Sequence, residues 1–84
     1  MELEIITPLK VVYSDKIKNA VLPSVMGEMG VLPGHANFIV ALKSGVIQVS
    51  NSSGENLKFT LSSGGLAEIF SDKVLVVTQE VSAS

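Results

Sequence analysis

Apolar and polar residues alternate with a period of two over Leu57-Lys58-Phe59-Thr60-Leu61-Ser62, the spacing of a strand with one buried face. Its inward set is Leu57, Phe59 and Leu61. The same alternation turns Leu3 and Ile5 inward in Glu2-Leu3-Glu4-Ile5, and Ile47 and Val49 inward between Gln48 and Ser50. Val74 to Val77 is continuously apolar, the pattern of a strand covered on both faces. In Ala36 to Lys43, Phe38, Ala41 and Leu42 would share one helical face. The β-forming run Phe38, Ile39, Val40 predicts a strand instead, because Gly34 and Gly45 leave less room than the ~12 residues an isolated helix needs. Asn51-Ser52-Ser53-Gly54, Ser62-Ser63-Gly64-Gly65 and Ser71-Asp72-Lys73 have turn composition. This rhythm predicts one all-β domain over residues 1–84, a flattened sandwich or barrel of about 8–10 short strands.

Composition narrows what such a domain does. A chain of 84 residues buries only about 60–65% of its unfolded surface, so the 46% hydrophobic content is generous. It predicts a well-filled core together with apolar surface kept for a partner. Cysteine is absent and histidine occurs once, which excludes a disulfide framework and any ordinary zinc constellation. The net charge of −2, with no run of Lys or Arg, argues against nucleic acid or an anionic lipid surface as direct partner. The longest apolar run is Phe38 to Leu42, far short of the ~20 residues that span a bilayer. Met1-Glu2-Leu3-Glu4 carries the wrong charge for a signal peptide. The chain is therefore expected to be soluble when isolated, unprocessed, and without direct lipid insertion.

No catalytic set is visible. An enzyme needs a nucleophile with its base, an acid–base pair or a metal cluster, whereas His35 stands with carboxylates scattered over several predicted strands. Asp15 and Asp72 lie in turn contexts, and Glu2, Glu4, Glu55 and Glu68 read as solvated positions. No glycine spacing leads into a helix to cradle phosphate, so no cofactor is expected. The densest loop is Gly27-Glu28-Met29-Gly30-Val31-Leu32-Pro33-Gly34-His35-Ala36. Within it, Pro33-Gly34 predicts a type II turn, with proline setting φ at the first central position and glycine supplying φ > 0 at the second.

That ten-residue loop, followed by Ala41-Leu42-Lys43-Ser44-Gly45, resembles the signature of the epsilon subunit of rotary ATP synthases, in its N-terminal β-sandwich domain. Ser63-Gly64-Gly65-Leu66-Ala67-Glu68, then Val74-Leu75-Val76-Val77, is similar to the family's Ser-Gly-Gly segment and the strand that closes the sandwich. Leu3-Glu4-Ile5-Ile6-Thr7-Pro8 fits the family's first strand, so the resemblance runs over essentially the whole chain. Asn37 and Ser44 depart from it, standing where the family usually or often has proline. The chain also stops at Ser84, where longer members continue into a C-terminal helical hairpin that inhibits ATP hydrolysis. The resemblance therefore implies a short form without that brake.

The resemblance implies a non-catalytic rotor subunit. It would dock the gamma subunit onto the membrane-embedded c-subunit ring, reach the assembled catalytic head through gamma, and couple rotation to ATP synthesis. The site would be a peripheral one on the cytoplasmic face of the membrane. In that family the loop bearing Glu28, Met29, Gly30 and His35 faces the ring, and a sandwich face packs on gamma, with Thr7, Val40 and Val46 as the gamma-facing candidates here. Two other classes compete. Ser-Asp-Lys occurs at Ser14-Asp15-Lys16 and again at Ser71-Asp72-Lys73, which suggests a lipoyl- or biotinyl-type carrier domain with a modifiable hairpin lysine, Lys73 or Lys16. Against it, such lysines sit mid-chain, and Lys73 has only eleven residues after it. A small barrel that binds a ligand or single-stranded nucleic acid is disfavoured by three Phe, one Tyr and the acidic balance.

Overall fold

A computed structural model describes residues 1–34 and 37–83. They form nine strands: β1 (Glu2–Ile6), β2 (Val11–Ser24), β3 (Gly27–Val31), β4 (Phe38–Leu42), β5 (Gly45–Asn51), β6 (Asn56–Leu61), β7 (Gly65–Ile69), β8 (Lys73–Val77) and β9 (Val81–Ala83). The pairing order is β1-β8-β7-β4-β2-β5-β6-β9, with β3 and β1 both also paired to β2. β1 and β8 run parallel, and every other pair is antiparallel.

β2 joins the two layers. Its 14 residues would span about 46 Å if straight, yet the longest dimension of the domain is 27 Å. The strand must bend, and its pairing shows how: its first half lies against β1, its second half against β3 and β5. The register slips between Ile17 and Asn19. Inward positions change parity there, from Ile17 to Ala20 and Leu22, as a bulge that turns a corner requires.

The core between the layers holds the residues that alternation marked. Leu3, Ile5 and Ile47 are wholly buried, and Val49, Phe59 and Leu61 nearly so, while Leu57 packs at the margin. Tyr13 meets Phe59 with ring centroids 4.9 Å apart at 54°, a tilted aromatic pair. Two expectations fail. The β8 run is not covered on both faces: Val74 and Val76 are buried, but Val77 is 43% exposed, because β8 lies in an outer layer with one face open. Asp15 belongs not to a turn but to β2, where its carboxylate accepts the N–H of Lys16.

The Ser63-Gly64-Gly65 segment has a packing reason. Gly64 takes φ 73°, and a Cβ there would overlap the carbonyl oxygen of Leu42. A Cβ on Gly65 would overlap the carbonyl oxygen of Val77. The turn is therefore pressed against β4 and β8, and the buried Thr78 hydroxyl locks it by donating to the Gly64 carbonyl at 2.6 Å. Gly34 takes φ 94°, as the Pro33-Gly34 type II reading requires, and its N–H donates to the Ser71 carbonyl at 2.8 Å.

Candidate partner-docking surfaces

The glycine-rich loop of the sequence is a β-hairpin followed by a turn. β2 reverses into β3 through Val25 and Met26, with Gly27 at φ 120° closing the bend and the Ser24 hydroxyl accepting the Met26 N–H at 3.0 Å. Met26 is 90% exposed at this tip. Along β3, alternation separates the nominated residues: Glu28 and Gly30 are exposed, whereas Met29 turns inward against the core. Glu28 lies opposite Pro23 near the tip, while the Pro33-Gly34 turn lies past the far end of β3, bonded to Ser71. Glu28 and that turn are thus near opposite ends of one strand rather than in one patch. His35 lies outside the described residues.

A second surface was not visible as a motif. Register places Ala41 beside Leu66, Leu66 beside Val77, Val77 beside Ile6, and Ile6 beside Val11. Val25 continues this row past Ala41, to whose carbonyl its N–H donates at 3.0 Å. Paired residues point to the same side of a sheet, so this is one apolar row running across β4, β7, β8, β1 and the start of β2. Five inter-strand steps make it about 24 Å long, nearly the width of the domain. Val25 and Val11 are each 54% exposed, Leu66 52% and Val77 43%. The row above it is mixed: Ile39, Glu68, Leu75 and Glu4, with Glu4 held by Lys73 at 3.3 Å.

The three gamma-facing candidates fall in different places. Thr7 follows Ile6 at the edge of the row, where its hydroxyl accepts the N–H groups of Leu9 and Lys10 and shapes the β1–β2 turn. Val40 is half-buried, packed against the core between Ile39 and Ala41. Val46 is 37% exposed on β5, on the outer face of the other layer.

Among the described residues no group of three or more His, Asp or Glu side chains could hold a metal ion. Nor, among those residues, is any helix long and apolar enough to cross a membrane. Among the described residues, Tyr13 is the group whose titration is perturbed: its buried hydroxyl has its pKa raised above the ordinary 10.0 by burial and then by the Asp15 and Glu55 carboxylates. Lys73 closes the β7–β8 hairpin turn, its carbonyl accepting the Phe70 N–H at 2.7 Å, and its ammonium lies 3.3 Å from the Glu4 carboxylate.

Among the described residues the fold is a small all-β sandwich that leaves an apolar row exposed on one outer face. The chain belongs to the family described as the β-sandwich domain of the ATP synthase delta/epsilon chain, whose model matches residues 1–84. It is 38% identical over 79 residues to the ATP synthase epsilon chain of Campylobacter jejuni subsp. doylei, covering 94% of this chain and 60% of that protein. It is also 38% identical over 80 residues to the ATP synthase epsilon chain of Chlorobaculum tepidum, covering 95% and 90%. The chain thus spans about 60% of the Campylobacter relative's length and nearly all of the Chlorobaculum one. In fold it matches a chain of the Euglena gracilis mitochondrial ATP synthase (OSCP/F1/c-ring) with a TM-score of 0.88 at 24% identity, covering 96% of this chain and 51% of that one. A chain of the Tetrahymena thermophila mitochondrial ATP synthase central stalk and c-ring matches with 0.76 at 15%, covering 98% and 65%.

Proposed function

We propose that this chain is a non-catalytic rotor subunit of an ion-translocating ATP synthase, which clamps the gamma subunit to the c-subunit ring so that rotation is transmitted to the catalytic head. The observation that carries the docking part is the apolar row of Val25, Ala41, Leu66, Val77, Ile6 and Val11. A row this long left in water is a solubility liability unless a partner covers it, and it supports gamma as its occupant. Thr7 borders that seat and Val40 stiffens it from beneath. Val46 would extend it around the corner past Pro23, against which Gly45 packs. The hairpin carrying Glu28, Met29 and Gly30 serves the ring contact. Glu28 is an exposed carboxylate there, and a rim ion pair of this kind contributes only ~0–1 kcal/mol, orienting more than it binds.

The mechanical demand is a body that does not deform under torque. A sandwich whose inner faces are filled by wholly buried aliphatic side chains meets it, since such cores have crystal-like packing and low compressibility. Bound to the complex, the chain would be peripheral to the membrane through its partners. Co-expression with a tagged gamma subunit of the same organism tests the reading. Stoichiometric co-elution is expected; folded protein that never co-elutes would overturn it.

A further inference from the structure

Every member of the apolar row lies at or beside the end of its strand. Ile6 is the last residue of β1 and Val77 the last of β8, while Val11 is the first of β2. Leu66 is the second residue of β7, Ala41 the last but one of β4, and Val25 follows the end of β2. Strand ends are where a sheet opens first, because the fewest contacts hold them. A docking face built there binds tightly only if its strand ends are fixed before the partner arrives, since ordering them on contact subtracts from affinity.

Thr78 and the Ser63-Gly64-Gly65 turn meet at this end of the sheet. Thr78 follows Val77 and is 3% exposed. Its N–H donates to the Ile6 carbonyl at 3.0 Å, and its hydroxyl donates to the Gly64 carbonyl at 2.6 Å. One residue thus ties the ends of β1 and β8 to the turn that leads into β7. The same turn reaches β4, because Gly64 and Gly65, lacking side chains, let its backbone close onto the carbonyls of Leu42 and Val77. Leu42 follows Ala41, and Gly65 precedes Leu66. Ile6, Ala41, Leu66 and Val77 therefore all belong to this backbone junction or adjoin it. Ser62 adds an outer tie, its hydroxyl donating to the Glu80 carboxylate at 2.8 Å.

We propose that Thr78 is the positioning residue of the gamma-facing row. Through the Ser-Gly-Gly turn it holds Ile6, Leu66 and Val77 in place in the free chain, so that gamma meets a surface already formed. Buried as it is, Thr78 acts through these neighbours and not by touching gamma. The hydroxyl is the part that matters. Valine fills the same space but takes the Thr78 donor away from the carbonyl of the buried Gly64, which leaves the turn held by packing alone. This role deepens the rotor reading above and rests on it, and it gives the Ser-Gly-Gly segment a task in docking.

The gamma subunit of the same organism is titrated with the unchanged chain, Thr78→Ser and Thr78→Val, at a temperature where circular dichroism shows all three fully folded. Thr78→Ser keeps the hydroxyl and should bind within about twofold of the unchanged chain. Thr78→Val should melt about 4–8 °C lower, as one lost buried hydrogen bond implies for a domain of this size. It should also bind gamma about tenfold more weakly while folded, the cost of ordering the row on contact. A merely structural Thr78 would lower the melting temperature and leave the affinity of the folded chain unchanged; that result overturns the positioning role and leaves the rotor reading standing. A loss that Thr78→Ser shares in full overturns the role of the hydroxyl equally. No binding by the folded, unchanged chain would overturn both readings. Should Thr78→Val not fold, amide exchange of the unchanged chain decides. The Thr78 amide, bonded to Ile6, is expected to be as well protected in the free chain as in the complex with gamma. An amide that is fast in the free chain and slows only on binding would show that gamma orders the row, and would overturn the proposal.

Discussion

The two outer faces of the sandwich are made by the same alternation and end up unlike. On the β4-β7-β8-β1 side the outward residues at one level are Ala41, Leu66, Val77 and Ile6, an unbroken apolar line. On the β5-β6 side the outward positions are Val46, Gln48 and Ser50 beside Thr60, Lys58 and Asn56, almost all polar. Both layers bury their inner residues equally well, so the core does not distinguish them. The difference lies in positions the core leaves free, and a contiguous apolar row at such positions is what a partner-covered face would show.

The strongest way to break this comparison is to remove the frame both faces share. Gly64→Ala places a methyl group against the Leu42 carbonyl at a residue with φ 73°, and should destabilise the domain by about 2–4 kcal/mol, from backbone strain and overpacking together. Chemical denaturation of the isolated chain measures it. Loss below about 1 kcal/mol would mean that the β6–β7 turn can lift away from β4 without harm.

Next in size is the row itself. Leu66→Glu with Val77→Glu alters residues that are 52% and 43% exposed, so the melting transition should shift little, by about 1 kcal/mol or less. Binding to gamma should fall by at least about tenfold, because two charges would be taken out of water without partners. The matched change on the other face, Gln48→Glu with Lys58→Glu, should leave both quantities within about threefold.

Smaller effects sharpen the picture at the hairpin. Glu28→Lys should weaken ring docking by no more than about fivefold, consistent with an exposed rim pair, and the difference from the unchanged chain should shrink in high salt. Docking assays at two ionic strengths measure it. Smallest is Tyr13→Phe. The folded chain holds the Tyr13 proton to higher pH than the unfolded chain, since burial and then Asp15 and Glu55 raise its pKa above 10.0. Its stabilising contribution is therefore complete below pH 10 and declines as pH rises beyond it. The phenylalanine variant should match the parent near neutrality and outlast it in alkaline melts. Parallel curves at all pH values would show that the hydroxyl titrates alike in both states.

Sequence reading recovered the strands whose inward parity never changes. β1, β5 and β6 were legible as alternations, and β4 as a strand rather than a helix, because each pairs within one layer. β2 was not legible. It contains Pro23, includes the turn-like Ser14-Asp15-Lys16, and changes inward parity at the bulge after Ile17, so no single period describes it. The continuous run of β8 misled in the opposite sense: Val77 is apolar yet 43% exposed, so core burial does not account for it. The Ser-Gly-Gly segment was found by resemblance, and only the backbone contacts with Leu42 and Val77 explain it. The apolar row was invisible because its members lie far apart in the chain, at residues 6, 11, 25, 41, 66 and 77, and only register brings them together.

The most direct test of the central claim is a binding titration of the gamma subunit with the chain in three forms: unchanged, Leu66→Glu with Val77→Glu, and Gln48→Glu with Lys58→Glu. The account predicts saturable binding that survives the change on the polar face and is lost with the change on the apolar row. Equal binding by the two variants would show that gamma is held somewhere other than the row.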